Sequence, residues 1–287
     1  MQRMETTIPK LVRAAAQRYG DATAIEDTGE EGTVRFSFRE LETESLRAAR
    51  AFIAQGVERG DRVAIWAPNL HDWIIAALGI QSAGAVLVTL NTRLKGPEAA
   101  YILRTSGARV LCTMGDFLGS DYAKMIAGED LPALEEIVVF RGEASSGMRW
   151  TDFLARGEAI DEAVARERAE SVEPGDLSDI LFTSGTTGQP KGVMTAHEQN
   201  IRAFEVWTEV VGLRETDRYL IVNPFFHSFG YKGGWLSCLI RGATALPQRV
   251  FDVPDVLERI GRDRISVLPG PPTLYQSILV HPDRERF

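Results

Sequence analysis

Residues 179–193 read Asp-Ile-Leu-Phe-Thr-Ser-Gly-Thr-Thr-Gly-Gln-Pro-Lys-Gly-Val, an apolar run that passes straight into a loop of glycines and hydroxyls closed by one lysine. Gly185, Gly188 and Gly192 let successive backbone N–H groups turn inward, and Thr183, Ser184, Thr186 and Thr187 add hydroxyl donors. Lys191 supplies a full positive charge. That combination makes a cradle for phosphate oxygens at the end of a strand. Two other phosphate loops are excluded by spacing. Lys191 is followed by Gly192 where a Walker A loop needs Ser or Thr, and no G-x-G-x-x-G is present.

Working outward, continuous apolar runs recur at 63–67, 85–90, 108–113, 136–140, 179–183, 219–222, 243–246 and 265–268, with helical stretches between most of them. Runs apolar throughout are covered on both faces, as parallel strands between helices are. The fold class expected is therefore α/β, with doubly wound, mostly parallel sheets. Near the N-terminus, Pro9 and Gly20 bracket a short helix, and runs at 22–26 and 34–38 flank a turn at 28–32. Ser37 and Glu40 form a capping box for a helix that ends at Gly56. Segments 141–149 and 159–173 break the alternation and are expected to cross the surface.

The chain has 287 residues, 44% of them hydrophobic and 25% charged, so a sizeable core is available and disordered or collagen-like readings are excluded. Its net charge of −8 argues against non-specific nucleic-acid binding. Cys112 and Cys238 stand far apart among apolar neighbours and read as small buried hydrophobes. Residues 73–90 carry no charge, but Gly79, Gln81, Ser82 and Gly84 and the β-branched second half favour a buried helix, a turn and a strand over a membrane span. The first twenty residues hold no apolar core of a signal peptide. A cytoplasmic protein without stable membrane insertion is expected.

The loop TSGTTGQPKG resembles the signature of the adenylate-forming enzymes, which include acyl-CoA synthetases, aryl-CoA ligases and peptide-synthetase adenylation domains. Pro224-Phe-Phe-His-Ser-Phe-Gly230, about 35 residues further on, is similar to the acyl-CoA synthetase element P-x-F-H-x-x-G. Residues 267–275, VLPGPPTLY, resemble the strand and double proline that follow it, and Ala67-Pro-Asn69 and Val88-Thr-Leu-Asn-Thr-Arg93 match the N-terminal part. The resemblance covers nearly the whole chain. Taken together, DILFTSGTTG, NPFFHSFGYKGG and LPGPPTLYQS are most similar to the actinobacterial ligases that activate the bicyclic propanoate left from steroid rings C and D.

The resemblance implies ATP, Mg²⁺ and CoA as cofactor and co-substrates and a small carboxylic acid as partner, fatty or steroid-derived, and it leaves a homodimer open. Thr183, Ser184, Gly185, Thr186, Thr187, Gly188 and Lys191 would hold phosphate. His227, with Lys191, would serve catalysis where carboxylate and α-phosphate meet. Phe226, Phe229, Lys232, Gly233 and Trp235 would line the acyl pocket, with core packing as their alternative reading. Arg249 falls near a basic CoA contact of plant aryl-CoA ligases, offset by one residue. No protein metal ligands are expected. His71, His197 and His281 match no family role and read as surface or capping residues.

The family's later motifs are absent: an adenine-binding Y-G-x-[TS]-E, a ribose-binding T-G-D, a hinge, and the adenylation lysine of the C-terminal lid domain. An incomplete N-terminal adenylation domain is therefore expected, with 1–60 and 196–287 in one α/β subdomain, 61–195 in the other, and weak or no ligation by the chain alone. The alternative is a non-catalytic nucleotide- or acyl-binding module, or half of a split ligase.

Overall fold

The computed structural model describes residues 6–29, 32–143, 145–183, 189–282 and 284–286. Ser184 to Gly188, five of the phosphate-loop residues, therefore lie outside the described residues. Among the described residues the strands form two sheets. The first, in the order β10-β11-β1-β2, combines β1 (Thr23–Gly29) and β2 (Gly32–Ser37) with β10 (Arg218–Ile221) and β11 (Thr244–Pro247). The second, in the order β7-β6-β5-β3-β4-β8-β9, is built from β3 (Arg62–Trp66), β4 (Val86–Thr89), β5 (Val110–Thr113), β6 (Glu136–Val139), β7 (Met148–Arg149), β8 (Leu177–Thr183) and β9 (Lys191–Ala196). Pairing is parallel except in the hairpins β1–β2 and β8–β9.

The burial pattern explains why whole runs are apolar. Val63 and Ile65 of β3 face a core shared with the first sheet, while Ala64 and Trp66 face a second core under helix α4. α1 spans Ile8–Tyr19, α2 Phe38–Ala54, α3 His71–Ser82 and α4 Gly96–Ser106. Every residue of α3 is buried, and the helix lacks an apolar stripe because protein surrounds it. Gly79 is needed there, since a Cβ would stand 2.4 Å from that of Ala48 on α2. The capping box at Ser37 and Glu40 forms, with both reciprocal bonds present. Cys112 and Cys238 are buried free thiols whose pKa burial raises. Among the described residues no helix is long and apolar enough to cross a membrane.

Three expectations need correction, those for residues 265–268, His71 and His197. Residues 265–268 do not make a strand; only Val267 bridges to Tyr219 of β10. Pro269, Pro271 and Pro272 follow and have no N–H to extend a ladder. The segment 159–173 crosses the surface as expected, largely exposed, and does so as a helix, Glu162–Glu170, capped by Asp161 and anchored by buried Ala165. The segment 141–149 runs over the surface as expected, but it is anchored at its start: the Arg141 side chain is 7% exposed, donating to Asp72 at 2.6 Å and pairing with Asp27 at 3.4 Å. His71 belongs to the same buried group, 2.9 Å from the Asp27 carboxylate. Burial would raise the Asp27 pKa, but hydrogen bonds from His71 and the charges of His71 and Arg141 outweigh it and hold it below the ordinary value. His197 is also buried, and its Nδ1 accepts from the Ile8 N–H at 3.3 Å. An interior ring that must accept a hydrogen bond stays neutral, and burial lowers its pKa to about 4.

Candidate active site

Parallel strands point their carboxyl ends in one direction, and in open α/β sheets ligands bind beyond those ends. A cleft of about 410 Å³ opens there between the two sheets. Pro68 and Asn69 enter it after β3, Asn91 to Arg93 after β4, Phe117, Leu118, Ser120 and Tyr122 after β5, Val222, Pro224, Phe226 and His227 after β10, and Gln248 to Phe251 after β11. The strands β8 and β9 that flank the predicted phosphate-loop sequence have their joined end at the corresponding end of β8, whose Leu181 pairs with Thr89, the last residue of β4. Thr183 and Lys191 are register partners at the mouth of that hairpin, both exposed.

The sequence holds these loops through short polar clamps. Asn69 is buried and donates to the carbonyls of Ile221 and Asn223 at 3.0 and 2.9 Å, while its own carbonyl accepts from Phe225 N at 2.8 Å. One side chain from the β3 loop thereby fixes the path into His227. Thr89 Oγ1 donates to the carbonyl of Phe226 at 3.0 Å and ties the same segment to β4. The turn requires Gly230, because a Cβ there would lie 2.1 Å from the Pro224 oxygen and 2.4 Å from that of Asn223. The Arg93 loop is held by the stacked pair Trp66–Tyr122, 4.3 Å between rings. Trp66 Nε1 donates to Asn91 O at 2.9 Å and the Tyr122 hydroxyl to Thr92 O at 3.0 Å.

His227 stands at the cleft wall with its ring 4.6 Å from that of Phe226. Partial burial, and then the charge of Arg93, lowers its pKa below the ordinary 6.5, so the ring is neutral at pH 7. Arg93 and Arg249 line the same cleft, and among the described residues no Asp or Glu does. In a chain of net charge −8 this is a locally positive wall facing a concave space, suited to anionic groups.

Other predicted residues are placed differently. Lys232 is 5% exposed and its ammonium lies 2.8 Å from Asp179, away from the cleft. Trp235 is buried, stacked on Tyr231 at 4.7 Å and edge-on to Trp73 at 6.1 Å. Gly233 donates space, since a Cβ would come within 3.1 Å of Phe229. Phe229 is 38% exposed and edge-on to Trp207 at 5.8 Å. Of the five acyl-pocket candidates, only Phe226 lines the cleft. Arg249 lines it too and donates to the Thr28 carbonyl at 3.3 Å. Sequence reading gave no role to Asn69 or Arg93, although both sit in segments matched to the family; a polar residue directly after an apolar strand was the available signal.

Residues 12–287 match the AMP-binding enzyme family. The chain belongs to that family. It is 44% identical over its whole length to the 3-[(3aS,4S,7aS)-7a-methyl-1,5-dioxo-octahydro-1H-inden-4-yl]propanoyl:CoA ligase of Rhodococcus jostii, covering 56% of that protein. It is 48% identical, over 98% of its length, to the ligase of the same name from Mycobacterium tuberculosis, covering 54% of it. The chain thus spans about half the length of these curated relatives. Among solved structures, the anthranilate CoA ligase AuaEII in complex with anthranoyl-AMP superposes with a TM-score of 0.87 at 27% identity, over 99% of this chain and 54% of that one. The N-terminal domain of FACL13 from Mycobacterium tuberculosis superposes with a TM-score of 0.79 at 26% identity, over 97% and 66% respectively.

Proposed function

We propose that this chain supplies the acid- and nucleotide-recognising part of an AMP-forming acid–thiol ligase, and that its acid is a bicyclic, steroid-derived propanoate. In that reaction a carboxylate oxygen attacks the α-phosphorus of ATP, pyrophosphate leaves, and the thiol of CoA then takes the acyl group while AMP departs. The observation that carries the reading is a cleft at the strand carboxyl ends that combines His227, Arg93 and Arg249 and, among the described residues, holds no carboxylate. The identity of 44–48% to two propanoyl:CoA ligases narrows the acid.

Two anions must meet, so the protein's task is to lower their repulsion and hold them in line. The loop between Thr183 and Lys191 would cradle phosphate oxygens, and Lys191 would carry charge to them. Arg93 and Arg249 would attract the acid and the nucleotide into the cleft. Neutral His227, fixed by Asn69 and Thr89 through the backbone on either side of Phe226, can hydrogen-bond the carboxylate oxygen as it attacks. Phe226 and the apolar wall of Phe117, Leu118 and Phe251 suit a hydrocarbon ring system. Among the described residues no cluster of His, Cys, Asp or Glu could hold a metal, so Mg²⁺ would enter on the nucleotide's phosphates and supply further positive charge.

The test is AMP release by the protein expressed from its intact reading frame, with the bicyclic propanoate, medium- and long-chain fatty acids and aryl acids in parallel. The bicyclic acid is expected to give the highest kcat/KM. A fatty acid turned over faster would overturn the substrate, and no acid-dependent AMP would overturn the reaction.

A further inference from the structure

Lys232 lies outside the cleft lining and is almost fully buried, facing a carboxylate. Its Nζ lies 2.8 Å from Asp179 Oδ1 and donates to Thr195 Oγ1 at 3.2 Å. Asp179 and Thr195 are register partners on β8 and β9, so one ammonium ties together the two strands of the phosphate-loop hairpin at its root. The other carboxylate oxygen of Asp179 accepts from Ser178 Oγ and Asn200 Nδ2, each at 2.6 Å, and Asn200 lies on the helix His197–Val210 that leaves β9. Among the described residues no other cation pairs with Asp179, which is fully buried. Lys232 itself sits five residues beyond His227, and Tyr231 N donates back to the His227 carbonyl at 3.0 Å. From Asp179 to the hairpin mouth at Thr183 is four residues of strand, about 13 Å.

A buried ion pair is a weak device for stability, because its desolvation cost offsets the attraction, and apolar replacements often serve as well. What it fixes is geometry: one carboxylate oxygen of Asp179 accepts hydrogen bonds from its own strand and from the helix His197–Val210, the other faces the Lys232 ammonium, and that ammonium reaches both strands of the hairpin. We propose that Lys232 and Asp179 are positioning residues, an ion-pair lock that sets the phosphate-loop hairpin in one register against the His227 segment. The proposal rests on the reading above that hairpin and His227 serve one reaction. A tilt at the root would be magnified at the mouth, where Lys191 stands.

The test uses the double variant Lys232→Met with Asp179→Asn, which removes both charges at similar volume and avoids the stranded carboxylate that Lys232→Met alone would leave. Hydrogen–deuterium exchange without any ligand is expected to rise roughly ten-fold in peptides covering 177–183 and 191–196, with those of β3 to β5 unchanged. Unchanged exchange in the hairpin would overturn the lock. In acid-dependent AMP formation, kcat is expected to fall about 100-fold while KM for the acid stays within about two-fold. Recovery of wild-type kcat in the folded double variant would show the pair to be structural only. A raised KM with kcat intact would place Lys232 against the acyl group instead. Both results contradict the proposal. Absence of AMP formation in the wild-type protein would sink the proposed reaction, and the exchange arm, which needs no substrate, would still decide the lock.

Discussion

The cleft and the root of the phosphate hairpin both hold cations, and they use them in opposite ways. At the cleft, Arg93 and Arg249 face open space with no carboxylate among the described residues of the wall, so their field is available to an incoming anion. At the root, Lys232 is enclosed and its charge is consumed by Asp179 at 2.8 Å. A cation left without an acidic partner beside a concave space reads as recognition. A cation sealed against one reads as construction.

The contrast is broken most severely at the root. Lys232→Met alone leaves Asp179 buried without a counter-charge and should cost about 3–5 kcal/mol. For a domain of this size that is a drop of roughly 5–15 °C in the thermal midpoint, measurable by scanning calorimetry. A change of under about 2 °C would mean that the carboxylate is solvated or protonated at little cost.

A second interior group sharpens the same side of the comparison. His197 has a pKa lowered to about 4 in the folded chain against an ordinary value near 6.5. The unfolded chain therefore takes up the proton first as pH falls, and stability declines between pH 6.5 and 4, by roughly 3 kcal/mol in total. Urea unfolding across that window should show the loss in the wild type and a flatter profile in His197→Asn. Equal slopes in the two proteins would contradict it.

On the cleft side the smallest effect is expected from Arg93→Met. Removing that charge leaves burial as the remaining cause of the lowered His227 pKa, so the His227 titration followed by NMR should move upward toward 6.5. A downward move would mean that the two side chains do not share the cleft as described.

Much of this was legible in the residues, and the misses have a common cause. Runs such as Val63–Ala67 and Ala108–Thr113 announce strands because both faces are buried, and Ser37 with Glu40 announces a helix start because the cap is local. The 265–268 run looked identical in composition but ended in prolines that cannot extend a ladder. The partners of Lys232, His71, His197 and Arg141 were not legible because a buried polar group is decided by a partner distant in sequence: Asp179 for Lys232, Asp27 for His71, Asp27 and Asp72 for Arg141, Ile8 for His197. Spacing along the chain carries no record of such pairs. Asn69 was passed over for the same reason, since its three bonds all reach segment 221–225.

The central claim is that the cleft around His227 is where a carboxylate meets ATP, and acid-dependent exchange of labelled pyrophosphate into ATP measures that step without involving CoA. With the intact protein and the bicyclic propanoate, exchange should require the acid and fall about 100-fold in His227→Ala at an unchanged thermal midpoint. Exchange that proceeds equally well in His227→Ala would contradict the account.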